Sequence, residues 1–172
     1  MNTAHRIFAK MLIGLTLCLS APLHARAETA SLGTNAIINL PLGDVWNLFT
    51  SETGLRDLGF AQPKVDLQLG GAWQGGGSTS PLPDMDNRIL SMDPGHMLTF
   101  KASDASSEQW SVLYFAAMGP EMTQVRWLEF FPEAQRSMVS AHQQQVRALF
   151  DVLIRRYAPE CDVCKAERQA GR

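Results

Sequence analysis

The sequence predicts an α+β fold in which a seven-stranded antiparallel sheet curls around one long C-terminal helix, with two short helices after the first strand. Three observations carry this. First, from about residue 133 to 157 the apolar residues recur at three- and four-residue steps. Val139, His142, Val146, Leu149, Phe150, Leu153, Ile154 and Tyr157 fall on one face, opposite Gln144, Arg147, Asp151 and Arg155. A helix of about 25 residues is about 37 Å long and needs a broad apolar partner. Second, the chain before it is a series of short alternating runs, separated by glycine and proline turn signals. Third, six of these runs follow one another as three hairpins. A meander of that kind has one face for a core and one for water, and its twist lets it curl around a helix.

Taken in order, Thr34 to Leu40 alternates and is rich in β-branched residues, so it reads as the first strand, ended by Pro41-Leu42-Gly43-Asp44. Val45, Trp46, Leu48 and Phe49 form a short helical stripe to Thr50. Ser51-Glu52-Thr53 caps a second short helix through Leu55 and Leu58 to Phe60, weakened by Gly54 and Gly59. From Pro63 the period becomes two: Val65, Leu67 and Leu69 share one face of a strand from Lys64 to Leu69. Gly70-Gly71 is then a two-residue hairpin turn, since both residues tolerate positive φ, and Ala72 to Gly75 is the return strand. A glycine-rich loop runs to Pro83. Asn87 to Met92 and His96 to Lys101 flank the turn Asp93-Pro94-Gly95. After a polar loop, Gln109 to Met118 and Thr123 to Phe131 form a longer pair joined at Gly119-Pro120-Glu121, and Pro132 ends the last strand.

The first 27 of the 172 residues are expected to stand outside this fold. Arg6 and Lys10 precede an apolar run, Met11 to Leu23, that is too short for an ordinary membrane-spanning helix, and Ala25-Arg26-Ala27 follows as a small-x-small cleavage site. This pattern is that of a secretory signal peptide cut after Ala27, which predicts a periplasmic or secreted protein with no stable membrane insertion after cleavage. Leu17, being large, argues against lipidation of Cys18. Cleavage would leave residues 28–172, with 28–158 as one domain and 159–172 as a polar tail. It removes Arg6, Lys10 and Arg26, leaving 12 Lys+Arg against 17 Asp+Glu, a net charge of −5. No basic patch remains, which argues against nucleic acid as a partner. Cys161 and Cys164 lie in the tail after Pro159. In an oxidising compartment a disulfide between them is the preferred reading. The pair follows a helix rather than opening one, which argues against a thioredoxin-type site, and no His lies nearby to complete a zinc set.

Four segments resemble the SRPBCC superfamily, also called START-like or helix-grip, and within it the branch named after an activator of the heat-shock chaperone ATPase. They are Val45-Trp46-Asn47-Leu48-Phe49-Thr50-Ser51-Glu52; Val65-Asp66-Leu67-Gln68-Leu69-Gly70-Gly71-Ala72-Trp73; Arg88-Ile89-Leu90-Ser91-Met92-Asp93-Pro94 with Leu98-Thr99-Phe100; and Trp110 to Thr123 with Val125. The likeness covers about 115 residues, a normal size for one domain. The chain departs from the branch in having Leu42-Gly43-Asp44 before Val45, Leu58 where a tryptophan is common, and Gln144-Gln145 in place of an early Gly-Trp pair in the last helix. The resemblance implies a sheet gripping the C-terminal helix with a cavity between them that takes lipids, sterols, polyketides or other apolar molecules. No cofactor is expected. Some members catalyse cyclisation or hydrolysis, and the branch name suggests a protein-interaction module, a cytosolic role that the signal peptide argues against.

Such a cavity is expected to be lined by the inward faces of helix and sheet. By alternation Trp110, Val112, Tyr114 and Ala116 share one face of their strand, and Val125, Trp127 and Glu129 share one face of the next. Phe49 and Trp73 sit where the family's pocket opens. The ligand-binding set is therefore Phe49, Trp73, Trp110, Tyr114, Trp127, His142, Val146 and Leu149. For any single ring, filling the core is the more usual role, since aromatic side chains are the common core filler. Glu129 and His142 are the candidate acid–base groups for an enzymatic alternative, Glu129 because it shares a strand face with apolar residues, unless it lies beyond the core edge in water, and His142 because it lies on the helix's apolar stripe, where it can offer a hydrogen bond to a ligand head group at the cavity mouth or serve as a satisfied core or rim residue. The glycine clusters lack the Lys-Ser/Thr of a phosphate loop, and no serine sits in a nucleophile elbow.

Overall fold

In the computed structural model, residues 29–76, 80, 82, 85–104 and 109–159 are described. The expected leader and its cleavage site, and Cys161 and Cys164, lie outside the described residues. Seven strands form one sheet: β1 (Thr29–Ile38), β2 (Ala61–Val65), β3 (Ala72–Gly76), β4 (Met85–Asp93), β5 (Met97–Ala102), β6 (Trp110–Gly119) and β7 (Met122–Pro132). Helices α1 (Leu42–Thr50) and α2 (Glu52–Asp57) follow β1, and a 3-10 turn (Glu133–Gln135) leads into α3 (Arg136–Arg156). The strand order is β1-β7-β6-β5-β4-β3-β2, antiparallel throughout. Consecutive strands from β2 to β7 are neighbours, as a meander requires, and β1 closes the far side against β7.

The period-two pattern decides the faces. On β7 Thr123, Val125, Trp127, Glu129 and Phe131 are buried while the residues between them are not. On β1 the matching set is Thr34, Ala36 and Ile38. Against this surface α3 lays Val139, Gln143, Val146, Leu149, Phe150 and Leu153. Val146, Leu149, Phe150 and Leu153 are at most 1 % exposed and belong to one cluster with Ile38, Val45, Phe49, Val125 and Trp127. Fully burying a side chain of this size stabilises by about 1.5–3 kcal/mol. The helix is stapled along its second half by such contacts. Ile154, expected on the same stripe, points outward and is 38 % exposed.

The two short helices meet closely. The Ser51 hydroxyl accepts from Gly54 N at 2.9 Å and caps α2. A Cβ on Gly54 would stand 2.2 Å from Asn47 O and 2.5 Å from Leu48 Cα, so the glycine that weakens α2 by propensity is what lets it cross α1.

Two expectations fail here. The strand from Lys64 to Leu69 ends at Val65, and Leu67 and Leu69 are exposed, the latter at 75 %. Gly70-Gly71 is not a two-residue turn. It closes a wider loop, 66–71, between Val65 and its partner Trp73. Asp66 N donates to Ala72 O and Gly71 N to Gln68 O, while Ile89 N donates to Gly71 O and Gly70 N to Ile89 O. Gly70 has φ +75, and a Cβ on Gly71 would lie 2.0 Å from Asp66 O, so both glycines are needed for a turn folded back onto β4.

Candidate functional site

The space beneath α3 is divided. Under its second half the sheet and helix are packed solid. Under its first half they part to leave an open cleft of about 820 Å³. Its sheet wall comes from the ends of β4, β5 and β6 (Met85, Asn87, Phe100, Ser111) and from Trp127 and Glu129 of β7. Its helix wall is Met138, Val139, Ala141, His142 and Gln145. The volume lies within the range usual for small-molecule sites.

The local sequence explains the parting. Facing the sheet, α3 presents Val139, His142 and Gln143 in its first half and Val146, Leu149, Phe150 and Leu153 in its second. The floor is aromatic. Trp73 and Phe100 have centroids 4.3 Å apart, and Phe100 meets Trp127 edge-on at 5.5 Å. Trp73 is anchored below by Nε1 donating to Phe49 O at 2.7 Å. Trp127 is 1 % exposed, and its Nε1 has no hydrogen-bond partner among the described residues.

On this floor stands a polar chain of four side chains from three elements. Glu129 is 5 % exposed. Its Oε1 meets His142 Nδ1, and its Oε2 accepts from Gln143 Nε2 at 3.0 Å. Gln143 Oε1 accepts from the Thr34 hydroxyl at 2.7 Å. The His142 ring lies edge-on to Trp127, centroids 5.9 Å apart, with its side chain 29 % exposed. A carboxylate that holds one imidazole nitrogen fixes ring orientation and leaves the other nitrogen free to act, an arrangement that recurs where histidine is used as a metal ligand or a base. At the rim, Asp86, Lys101 and Asp104 carry charge. Hydrogen bonds from Gln74 and then Ser103 hold the exposed Asp86 carboxyl below the ordinary carboxylate range.

Of the residues expected to line the cavity, Trp127 and His142 do so, and Glu129 is beside them. Phe49, Trp73, Val146 and Leu149 are instead wholly committed to the core. Trp110, Val112, Tyr114 and Ala116 share a face as expected, but it is the outer one. Leu113 and Phe115 point inward, Tyr114 is 42 % exposed, and the Trp110 ring stacks on outward-facing Phe130 at 5.1 Å, so only the edge of the cleft touches Trp110. Thr34 and Gln143 were not singled out by sequence. The signal was there: Gln143 lies four residues after Val139 and three before Val146, and Thr34 alternates with Ala36 and Ile38.

No family model matches the chain, and no curated protein sequence matches it. Solved structures do. CalU16 from Micromonospora echinospora superposes with a TM-score of 0.60 at 19% identity, covering 84% of this chain and 85% of that one. Protein MLL2253 from Mesorhizobium loti gives 0.58 at 13% identity, covering 76% and 100%. The Aha1 dimer from Colwellia psychrerythraea gives 0.58 at 10% identity, covering 77% and 99%. At these identities the likeness is one of fold. A sheet of this order, two short helices after its first strand and a long helix held in its curve give this chain the helix-grip α+β fold.

Proposed function

We propose that this chain is an exported member of the SRPBCC superfamily that binds an apolar small molecule or lipid in the cleft beneath the first half of α3, without turning it over. One observation carries the reading: the sheet and helix part to leave about 820 Å³ floored by Phe100 and Trp127 and walled by Met85 and Val139. The order of the family-like segments and the fold shared with CalU16 and Aha1 support the superfamily. The basic, apolar and small-x-small run of residues 6–27 supports export.

Native mass spectrometry of the protein purified from the envelope fraction of its own host tests the reading, alongside the Ala141→Trp variant. Ala141 lies exposed on the cleft's helix wall, so an indole there obstructs the space without disturbing the core. A small-molecule adduct in the native protein that disappears in the folded variant is expected. A bare mass in both would sink the proposal.

The Glu129–His142 pair favours one alternative, a cyclase- or hydrolase-like enzyme in which His142 takes a proton from substrate while Glu129 steadies the ring. Product appearing from the bound molecule, abolished in Glu129→Gln, would replace binding with turnover.

A further inference from the structure

The polar chain at the cleft has a direction, and the direction restricts the ligand. The Thr34 hydroxyl donates to Gln143 Oε1 at 2.7 Å, which leaves the Gln143 amide N–H₂ toward Glu129. Gln143 Nε2 then donates to Glu129 Oε2 at 3.0 Å. Glu129 therefore acts as an acceptor, and its other oxygen faces His142 Nδ1. A carboxylate oxygen in that position takes the Nδ1 proton of the imidazole as its donor. With the proton fixed on Nδ1, a neutral imidazole has a lone pair on Nε2. That nitrogen is the polar atom the ring has left to offer the cleft it lines. In the neutral ring it asks for a donor, not an acceptor.

Charge narrows the choice further. Glu129, Asp86 and Asp104 line the cleft against Lys101 as the one fixed cation among its described lining residues. A ligand carrying a carboxylate or phosphate would enter a field of its own sign. Glu129 is already paired with two donors, and Asp86 takes hydrogen bonds from Gln74 and Ser103 at the rim, so the inner cleft presents no unpaired carboxylate to a cationic headgroup. Elsewhere the lining joins the aromatic and aliphatic Met85, Phe100, Trp127 and Val139 to the buried Asn87, 8 % exposed, and to Gln109, Ser111 and Gln145, which are less buried.

We infer that the cleft takes a neutral amphiphile with an apolar body and a hydrogen-bond-donating hydroxyl, of the phenol or alcohol class, and that this hydroxyl donates to Nε2 of His142. The inference rests on the binding reading above and adds to it the class of headgroup. Glu129 and Gln143 are positioning residues, acting through the imidazole.

The test uses three probes that share one apolar body. 4-Hexylphenol offers a donor, 4-hexylanisole has the same oxygen without its hydrogen, and 4-hexylbenzoate carries a charge. Dissociation constants are read from the quenching of tryptophan fluorescence and from titration calorimetry on the mature protein. The phenol is expected to bind about tenfold tighter than the anisole, the size of one hydrogen bond, with the benzoate weakest. In His142→Phe the phenol and anisole should come within about twofold of each other. Glu129→Gln, which keeps the side chain's shape but releases the tautomer, should narrow the gap as well. Circular dichroism confirms the fold of each variant, and the second variant decides if the first does not fold. Equal binding of phenol and anisole to the native protein, or preference for the benzoate, would overturn the headgroup assignment and leave the binding site standing. Failure of all three to bind would overturn both.

Discussion

Replacing Thr34 by valine removes one hydroxyl and preserves the shape of the side chain. Thr34 is 8 % exposed and Gln143 6 %, so water has little access to either. The bond lost is the 2.7 Å donation from Thr34 Oγ1 to Gln143 Oε1. What remains is a buried carbonyl oxygen with its donor gone, while its amide nitrogen stays tied to Glu129. An orphaned buried acceptor costs about 1–3 kcal/mol, more than the roughly 1 kcal/mol net value of a hydrogen bond removed cleanly from both sides. Urea unfolding followed by far-ultraviolet circular dichroism should therefore place Thr34→Val about 1–3 kcal/mol below the native protein, at unchanged slope. Thr34→Ser, which keeps the hydroxyl, should lose less. The decisive comparison is Thr34→Val made in a Gln143→Leu background. There the acceptor no longer exists, and the same substitution should cost at least about 0.5 kcal/mol less, the coupling expected of residues in direct contact. Equal cost in the two backgrounds would mean that Thr34 and Gln143 do not communicate. The directional argument for His142 would then lose its first link.

Two further outcomes follow from the packing and the rim. Leu149→Ala, in the filled half beneath α3, should destabilise by about 2–5 kcal/mol, whereas Tyr114→Ala on the outer face should change stability by no more than about 1 kcal/mol. Comparable losses at both positions, measured by urea unfolding, would contradict the assignment of faces. By NMR titration the Asp86 carboxyl should titrate below the ordinary carboxylate value, and Gln74→Ala should bring it back up, because the Gln74 hydrogen bond is the largest cause of the lowering. The sign follows from linkage: a lowered folded-state value contributes stability that is present above the ordinary value and lost as the pH falls through the lowered one. An unmoved Asp86 titration in Gln74→Ala would refute that cause.

The elements were legible in the sequence wherever one set of residues had one core to face. The 3.6-residue period of α3 is set by Val139, Val146, Leu149 and Leu153, all buried, and the period of β7 by Val125, Trp127, Glu129 and Phe131. On β6 alternation separates two sets without saying which is inward. Trp110, Val112 and Tyr114 are as apolar as Leu113 and Phe115, and the outward set is sheltered only in part: Val112 is 5 % exposed and Trp110 is covered by Phe130, while Tyr114 stands open. The loop after β2 escapes local pattern because Gly70-Gly71 satisfies a two-residue turn by itself. The structure instead holds a wider loop through backbone bonds to Ile89 on β4, which no local pattern contains. The Glu129–His142 contact joins residues from a strand and a helix. Each was suspect on its own periodicity, but their meeting depends on the angle at which α3 crosses β7.

The same crossing explains why the polar chain sits where it does. Had the first half of α3 been built only to complete the core, apolar residues at positions 142 and 143 would have served as well or better. Replacing a buried charged network by packed hydrophobic side chains is often neutral or stabilising. Instead, four side chains from β1, β7 and α3 satisfy one another in sequence, and the chain ends at a partly exposed imidazole on the wall of the cleft. A buried network of this kind is costly unless fully satisfied, and full satisfaction fixes the orientation of every member. Fixing the orientation of three buried residues behind a fourth that reaches the cleft is what a binding site needs and a core does not. The parting of helix from sheet and the orientation of His142 are thus two consequences of one change in side-chain character along α3, from Val139, His142 and Gln143 to Val146, Leu149 and Phe150.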